Sequence, residues 1–231
     1  MIINIRGASG AGKTTVVRSL IGDAKMEPLR WSESRNPNAY AVRGLFNRDV
    51  FILGSYETTC GGCDAIATQD EVCDGVRKLA KFGHVIFEGL LVGKISQRYH
   101  DLSVELGGIK FLFLDTPLEL CLERVRGRRA ERGDGREFNT KNTESAHRQC
   151  ARSYELLKQA GSDVAWLNHE NPAEQIKQLI NQHEATSEIQ YLGAQAALEL
   201  YNRTREHPHQ ASRRKPAALD GRPGDVQAQL L

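Results

Sequence analysis

Gly7-Ala8-Ser9-Gly10-Ala11-Gly12-Lys13-Thr14, with Thr15 behind it, satisfies the GxxxxGK[ST] pattern and decides the fold. An apolar strand, Ile2–Ile5, precedes it and an apolar helix starts near Lys13, which is the setting a phosphate-binding loop needs. Glycines let consecutive backbone N–H groups and a helix N-terminus face the β-phosphate of a nucleoside triphosphate. Lys13 then reaches the β/γ oxygens, and Thr14 serves as a ligand for Mg²⁺. The pattern therefore places ATP or GTP on residues 7–15 and gives Lys13 a catalytic role.

Outward from the loop, strand-sized apolar runs alternate with helical patterns, the signature of a parallel sheet covered by helices on both faces. Expected strands are Ile2–Ile5, Val50–Gly54, Val85–Phe87, Ile109–Leu114 and Val164–Leu167, giving an α/β three-layer sandwich around a five-stranded parallel sheet. Thr68 with Glu71 and Thr116 with Glu119 read as capping boxes, and Pro117 suits a first helical turn. Val72, Val76, Leu79 and Ala80 form one helical face, as do Leu118, Leu122 and Val125, and both faces should pack on the sheet. A further helix spans about Thr143 to Ala160, and Asn171, Pro172 and Glu174 open the last helix of the core. This gives a domain over 1–184. Residues 185–231 are expected to form one more amphipathic helix, Ser187 to Thr204 through Ile189, Leu192, Ala196 and Leu200, and a mobile tail.

Composition limits the function classes. The chain has 231 residues, 40% hydrophobic and 26% charged, with a net charge of +2, ordinary values for a folded domain that neither demand nor exclude a polyanionic partner. No apolar run approaches the roughly 20 residues of a membrane span. Met1 leads straight into the first strand without a signal-peptide pattern, so a cytoplasmic protein is expected, and its 5 Cys favour reduced thiols.

Acids and arginines then narrow the chemistry. The third strand ends Val85-Ile86-Phe87-Glu88-Gly89, a single acid rather than the Asp-Glu pair of motor-type ATPases, and no NKxD string marks a guanine site. Glu88 is placed to hold Mg²⁺ or to accept a proton from an attacking hydroxyl, a turn carboxylate being the alternative. Glu57, after the second strand, could share those roles. Arg124, Arg126, Arg128, Arg129, Arg132 and Arg136 suit a mobile lid over a phosphoryl group in flight, with Arg124 and Arg128 one helical turn apart; a solvated helix end is the bland reading. Cys60-Gly61-Gly62-Cys63 is a single CxxC, read as a tight glycine turn lining the substrate pocket; zinc, completed by Cys73, His84 or His100, is the alternative. Basic residues interleave with aromatics at Arg30, Trp31, Arg35, Tyr40, Arg43, Phe46 and Arg48, a pattern that suits nucleic acid or, equally, a nucleotide-binding connector. Arg213-Arg214-Lys215 in the tail could add nonspecific affinity for DNA.

The strings INIRGASGAGKTT, LGSYETTCGGCD, VIFEGLLV, FLDTPLELCLERVRGRR, NTKNTESAHR and AGSDVAW, in this order over Met1 to His183, resemble the phage P-loop kinases that act on 5-hydroxymethyl-deoxyuridine in DNA during thymine hypermodification. The resemblance implies ATP and Mg²⁺ as cofactors and DNA containing 5-hydroxymethyluracil as partner, with one or two phosphates transferred to the hydroxymethyl group. It places Glu57, Asp64 and Glu88 as acids near that hydroxyl. With DNA as the acceptor, substrate contacts are expected at Arg30, Trp31, Arg35, Tyr40, Arg43, Tyr56 and Asp64. If phage-encoded, the protein would work in the host cytoplasm. A thymidylate-type kinase acting on free nucleotides is the second reading, and a regulatory nucleotide-binding module without phosphoryl transfer the third.

Overall fold

The computed structural model describes residues 1–31, 35–58, 60–133 and 138–206, with side chains up to residue 188 and at Gln195. Contacts divide the chain into two units, Met1–Ala185 and Thr186–Leu231. Arg136, the tail beyond Glu206 with Arg213-Arg214-Lys215, and the side chains of Ile189, Leu192, Ala196 and Leu200 lie outside the described residues.

Strand β1, Ile2–Arg6, is buried at every position and lies inside the sheet. With β2 (Met26–Leu29), β3 (Ala39–Val42), β4 (Val50–Leu53), β5 (His84–Glu88), β6 (Lys110–Leu114) and β7 (Asp163–Leu167) it makes a seven-stranded sheet of order β2-β3-β4-β5-β1-β6-β7. The five expected strands are the parallel part, β4 to β7 in that order. The sheet is nevertheless mixed, because β2 and β3 add two antiparallel strands on one side. Charge and Pro28 hide β2 from a reading by hydrophobicity, and an outer strand tolerates both.

Side-chain alternation builds two cores. Ile3, Ile5, Ile52, Ile86 and Leu112 pack on one face against Val16, Val17 and Leu20 of α1 (Lys13–Ile21) and Ile176 and Ile180 of α7 (Pro172–Glu206). On the other face Leu53, Phe87, Phe111 and Phe113 meet Val72 and Val76 of α2 (Gln69–Leu79), Val92 of α3 (Leu90–Lys94), Tyr99 and Leu102 of α4 (Gln97–Glu105), and Cys150 and Leu157 of α6 (Lys141–Gln159). Thr68 caps α2 as expected, accepting from the Glu71 N–H at 3.1 Å. Thr116 does not cap α5 (Leu118–Glu131); Pro117 is the N-cap, and the Thr116 hydroxyl donates instead to the Ala11 carbonyl at 2.9 Å. Nor does α5 lay an apolar face on the sheet, since Cys121 is its only buried residue. The two helices expected beyond Asn171 are one, the 35-residue α7. No described helix is long and apolar enough to cross a membrane.

One polar residue sits deep in the second core. Arg6, at the end of β1, lies against Tyr99, Phe111 and Phe113, with its guanidinium carbon 5.5, 4.9 and 5.8 Å from the ring centroids. It donates to Asn4 Oδ1 (2.5 Å), Ser153 Oγ (2.7 Å) and the Ile95 carbonyl (3.3 Å), so the strand that carries the phosphate loop is tied to α6 and to the segment after α3. Burial pulls its pKa down to about 10, which leaves it charged at neutral pH.

At the opposite edge of the sheet, His84 Nε2 lies 2.9 Å from Glu184 Oε1 of α7, and Glu184 accepts the N–H groups of Asn47 and Arg48. Burial, aided by the Met1 amino group and Arg48, holds His84 below its ordinary 6.5 against the pull of Glu184. His183, edge-on to His84 at 6.0 Å, is lowered too, again by burial first. Burial opposes the Glu184 charge, yet the His84, Arg48 and Asn47 hydrogen bonds keep that carboxyl below the usual 4.5. The folded state thus binds fewer protons than the unfolded chain at both kinds of group. The stability the histidines contribute is intact above 6.5 and is lost as pH falls from there towards their folded pKa values; that of Glu184 is intact above 4.5 and lost below it. Urea midpoints should therefore fall between pH 7 and pH 5. The fall should be shallower in His84→Gln, whatever the variant's absolute stability; an unchanged slope would contradict this assignment.

Candidate active site

The phosphate loop leaves β1 at the carboxyl edge of the sheet, beside the end of β5, where α/β sheets bind ligands. Two of its glycines are required by geometry. Gly10 has φ +83°, and a Cβ there would lie 2.3 Å from the Cys121 carbonyl oxygen. Gly12 has φ +96° and caps α1 with no side-chain hydrogen bond, so the first N–H groups of the helix stay open to an anion. No acidic residue stands in that first turn. Lys13 folds back over the loop and donates to the carbonyls of Gly7 (3.0 Å) and Ala8 (3.1 Å).

These groups open into a cleft of about 640 Å³. Lys13, Thr14, Thr15 and Arg18 form one wall, and Glu123, Arg124 and Arg128 of α5 form another, with Cys60, Gly61, Asp64 and Glu88 between. Arg124 reaches the Gly10 carbonyl at 3.4 Å, and Arg128 lies 3.2 Å from Cys60 Sγ. Arg126 and Arg129 turn instead to the Phe138 ring. Arg132 also reaches Cys60 Sγ, at 3.4 Å. A second cleft of about 380 Å³ shares Gly12, Thr15 and Arg124 with the first and continues past His169, Glu170 and Asn171.

Glu88 is the buried acid of the site, 1% exposed. Its Oε1 accepts the Thr14 hydroxyl at 2.8 Å, and Thr14 Oγ1 accepts the Gly61 N–H at 3.3 Å. Burial pushes its carboxyl above the ordinary range, while Lys13 and Thr14 pull it back. This donor set fits a hard divalent cation. Mg²⁺ takes one or two protein oxygens and fills its remaining positions with water and phosphate, and Thr14 and Glu88 supply two oxygens beside the phosphate loop. Among the described residues no cluster of three or more His, Cys, Asp and Glu side chains gathers into a cation-binding set.

The Cys-Gly-Gly-Cys turn brings the backbone against this acid. Ser55 and Gly62 exchange two backbone hydrogen bonds, 3.1 and 2.8 Å, closing the loop after β4 like a clip. Gly62 has φ +100°, and a Cβ there would stand 2.7 Å from the Glu88 carboxylate; at Gly61 it would stand 2.5 Å from the Tyr56 ring. Cys63 is buried, its Sγ 3.6 Å from the Leu53 carbonyl, whereas Cys60 is the exposed cysteine.

Several expected substrate contacts do not reach the cleft. Glu57 is exposed and accepts the Tyr40 hydroxyl at 2.5 Å, and it is Asp64 that shares the cleft wall with Glu88. Both Asp64 oxygens are engaged by the N–H groups of Leu90 (2.8 Å) and Leu91 (3.1 Å) at the start of α3. Tyr40 and Tyr56 belong to the core, edge-on to each other at 6.1 Å. The basic aromatic segment is split by the antiparallel strands. Strand register puts Leu29 and Ala39 in one row with Leu53 and Phe87, so Arg30, Trp31 and Arg35 lie at the carboxyl edge. Arg43 follows β3 at the other end, paired with Glu27 and Asp49. Arg30 donates to the Arg35 carbonyl at 2.7 Å, and Lys78 lies over Trp31. The residue that sequence reasoning missed is Arg18. It stands one helical turn beyond Thr14, the spacing that could have found it, and it donates to the carbonyls of Tyr56 (3.2 Å) and Thr58 (2.6 Å).

No protein-family model matches the chain. The chain is 37% identical to the 5-hmdU DNA kinase of Pseudomonas phage PaMx11 over 182 residues, covering 78% of this chain and 96% of that one. It is 31% identical to the 5-hmdU DNA kinase of Pseudomonas phage M6 over 189 residues, covering 77% and 96%. Among solved structures it is similar to the YorR protein of Bacillus subtilis, crystallised in complex with phosphorylated GDP, at a TM-score of 0.46 and 15% identity, over 78% of this chain and 93% of that one.

Proposed function

Because the chain belongs to the phage 5-hmdU DNA kinase family, we propose that it transfers a phosphoryl group from ATP to the hydroxymethyl group of 5-hydroxymethyluracil in DNA. The observation that carries the chemistry is the convergence of Lys13, the Thr14–Glu88 pair, Arg124 and Arg128 on one cleft at a phosphate loop. The identity of the acceptor comes from the relatives.

The triphosphate lies along Gly7 to Thr15, and its base enters the adjoining 380 Å³ cleft. Lys13 exchanges two neutral carbonyls for phosphate oxygens, a charge-assisted and therefore stronger bond. The hydroxymethyl oxygen attacks the γ-phosphorus, the bond to the β–γ bridging oxygen breaks, and ADP leaves. Glu88 accepts the hydroxyl proton, since both Asp64 oxygens already serve α3. Arg124 and Arg128 stabilise the charge spread over the equatorial oxygens. Thr14 and Glu88 would hold Mg²⁺, which would offset negative charge on the phosphates. Residues 1–184 form the kinase unit and 185–231 an appendage. Arg30, Trp31 and Arg35, at the carboxyl edge, form the part of the basic aromatic segment that meets the DNA strand.

The test is label transfer from γ-labelled ATP to matched oligonucleotides carrying 5-hydroxymethyluracil or thymine, followed by digestion and nucleoside mass analysis. Label on the hydroxymethyl oligonucleotide alone is the expected outcome, and the added mass gives the number of phosphates. Equal label on both, or on neither, would overturn the proposal.

A further inference from the structure

Tyr56 is held at every polar atom but one. Its N–H donates to the Tyr40 hydroxyl (3.2 Å) and its carbonyl accepts from Arg18 (3.2 Å). Its own hydroxyl, on a residue only 8% exposed, has no hydrogen-bond partner, the one such buried side-chain oxygen or nitrogen among the described residues. An orphaned buried hydroxyl destabilises a fold, and phenylalanine would fill the same space without that penalty.

The surroundings point to what the hydroxyl serves. The Tyr56 ring lies against Gly61, whose N–H donates to Thr14 Oγ1, and Thr14 in turn donates to Glu88. After burial, the Glu88 carboxylate is the largest influence that pushes the Tyr56 phenol well above its ordinary range. Thr14 is the side-chain donor to Glu88. A triphosphate and its cation would compete for Thr14 Oγ1, and the carboxylate oxygen that the cation leaves free, on a residue 1% exposed, has little water to replace that hydrogen bond.

We infer that Tyr56 is a positioning residue, not a substrate contact: its hydroxyl turns to Glu88 when nucleotide loads and holds the carboxylate in place for the acceptor. This rests on the reading of the cleft as a nucleotide site and is independent of which acceptor is used.

The test compares Tyr56→Phe with wild type by thermal unfolding and by titration with Mg²⁺ and a non-hydrolysable ATP analogue. Unliganded, the variant should be at least as stable as wild type. With saturating analogue the order should reverse, the variant binding about tenfold more weakly, the scale of one hydrogen bond to a charged group. The KM for the DNA acceptor should not move. In a Glu88→Gln background, where the acceptor is an uncharged amide oxygen, the effect of the same substitution should shrink, since its action runs through residue 88. Equal affinity for the analogue would overturn the inference. So would an unliganded variant that is less stable or fails to fold, because the hydroxyl would then already be bonded in the resting state. Wild type that does not bind the analogue would remove the nucleotide reading of the cleft, and this inference with it.

Discussion

Lys13→Ala will lower phosphoryl transfer by a factor on the order of 10²–10³, the scale of removing one preorganised donor from a transition state that gathers negative charge. The Lys13 ammonium donates to two carbonyls of its own loop, Gly7 and Ala8, both neutral acceptors. Phosphate oxygens are better partners, so the side chain is poised to exchange one set for the other without leaving the loop. The backbone cradle from Gly10 to Gly12 does not depend on that side chain, because its shape is set by left-handed glycines and by the Thr116 tether on Ala11. The variant should therefore fold and unfold as wild type does while failing in steady-state transfer from ATP. Retained transfer would mean that the loop does not hold the nucleotide that reacts.

Glu88→Gln is expected to lose roughly 10²–10⁴ in kcat, the range of general-base assistance. Glutamine keeps the size of the side chain and can still accept from Thr14 through its amide oxygen, but it takes no proton from an attacking hydroxyl. Glu57→Gln should stay close to wild type, because Glu57 is turned out to solvent and serves the Tyr40 hydroxyl. The contrast between the two substitutions is the informative quantity. A larger loss in Glu57→Gln than in Glu88→Gln would reverse the assignment of the base.

The two acids show how far the sequence could be read. Glu88 ends one strand and Glu57 follows another, and both strands read clearly as strands, so a carboxylate beyond the carboxyl edge was legible beside each. Which acid enters the cleft depends on the turn after β4, where Gly62 is left-handed and pressed against Glu88, and that turn places Asp64, not Glu57, on the wall. The phosphate loop was legible in full, because its chemistry demands particular residues at particular spacings. The parallel strands were legible because burial on both faces makes them continuous apolar runs.

Illegible were β2, whose edge position lets Glu27 and Pro28 sit within a strand, and β3, Ala39–Val42, an apolar run of only four residues. Thr116 met the rule for a helix cap, yet it is used on a distant loop carbonyl that no local rule reveals. Tyr40, interleaved with arginines, matched the spacing of a base-stacking surface, but spacing does not tell an outward ring from one packed in the core. Arg6 gave no signal at all, since a charged residue at the end of an apolar strand ordinarily marks where the chain leaves the core.

The central claim is that the acceptor is a base already built into DNA. The most direct test is competition: the protein with Mg²⁺-ATP in a mixture of 5-hydroxymethyluracil-containing DNA and free 5-hydroxymethyl-deoxyuridine monophosphate, with polymer and monomer separated before mass spectrometry. Phosphate added to the base in the polymer, with the monomer unchanged, is the predicted result. Phosphate on the monomer with the polymer untouched would contradict the account and make the protein a kinase of free nucleotides.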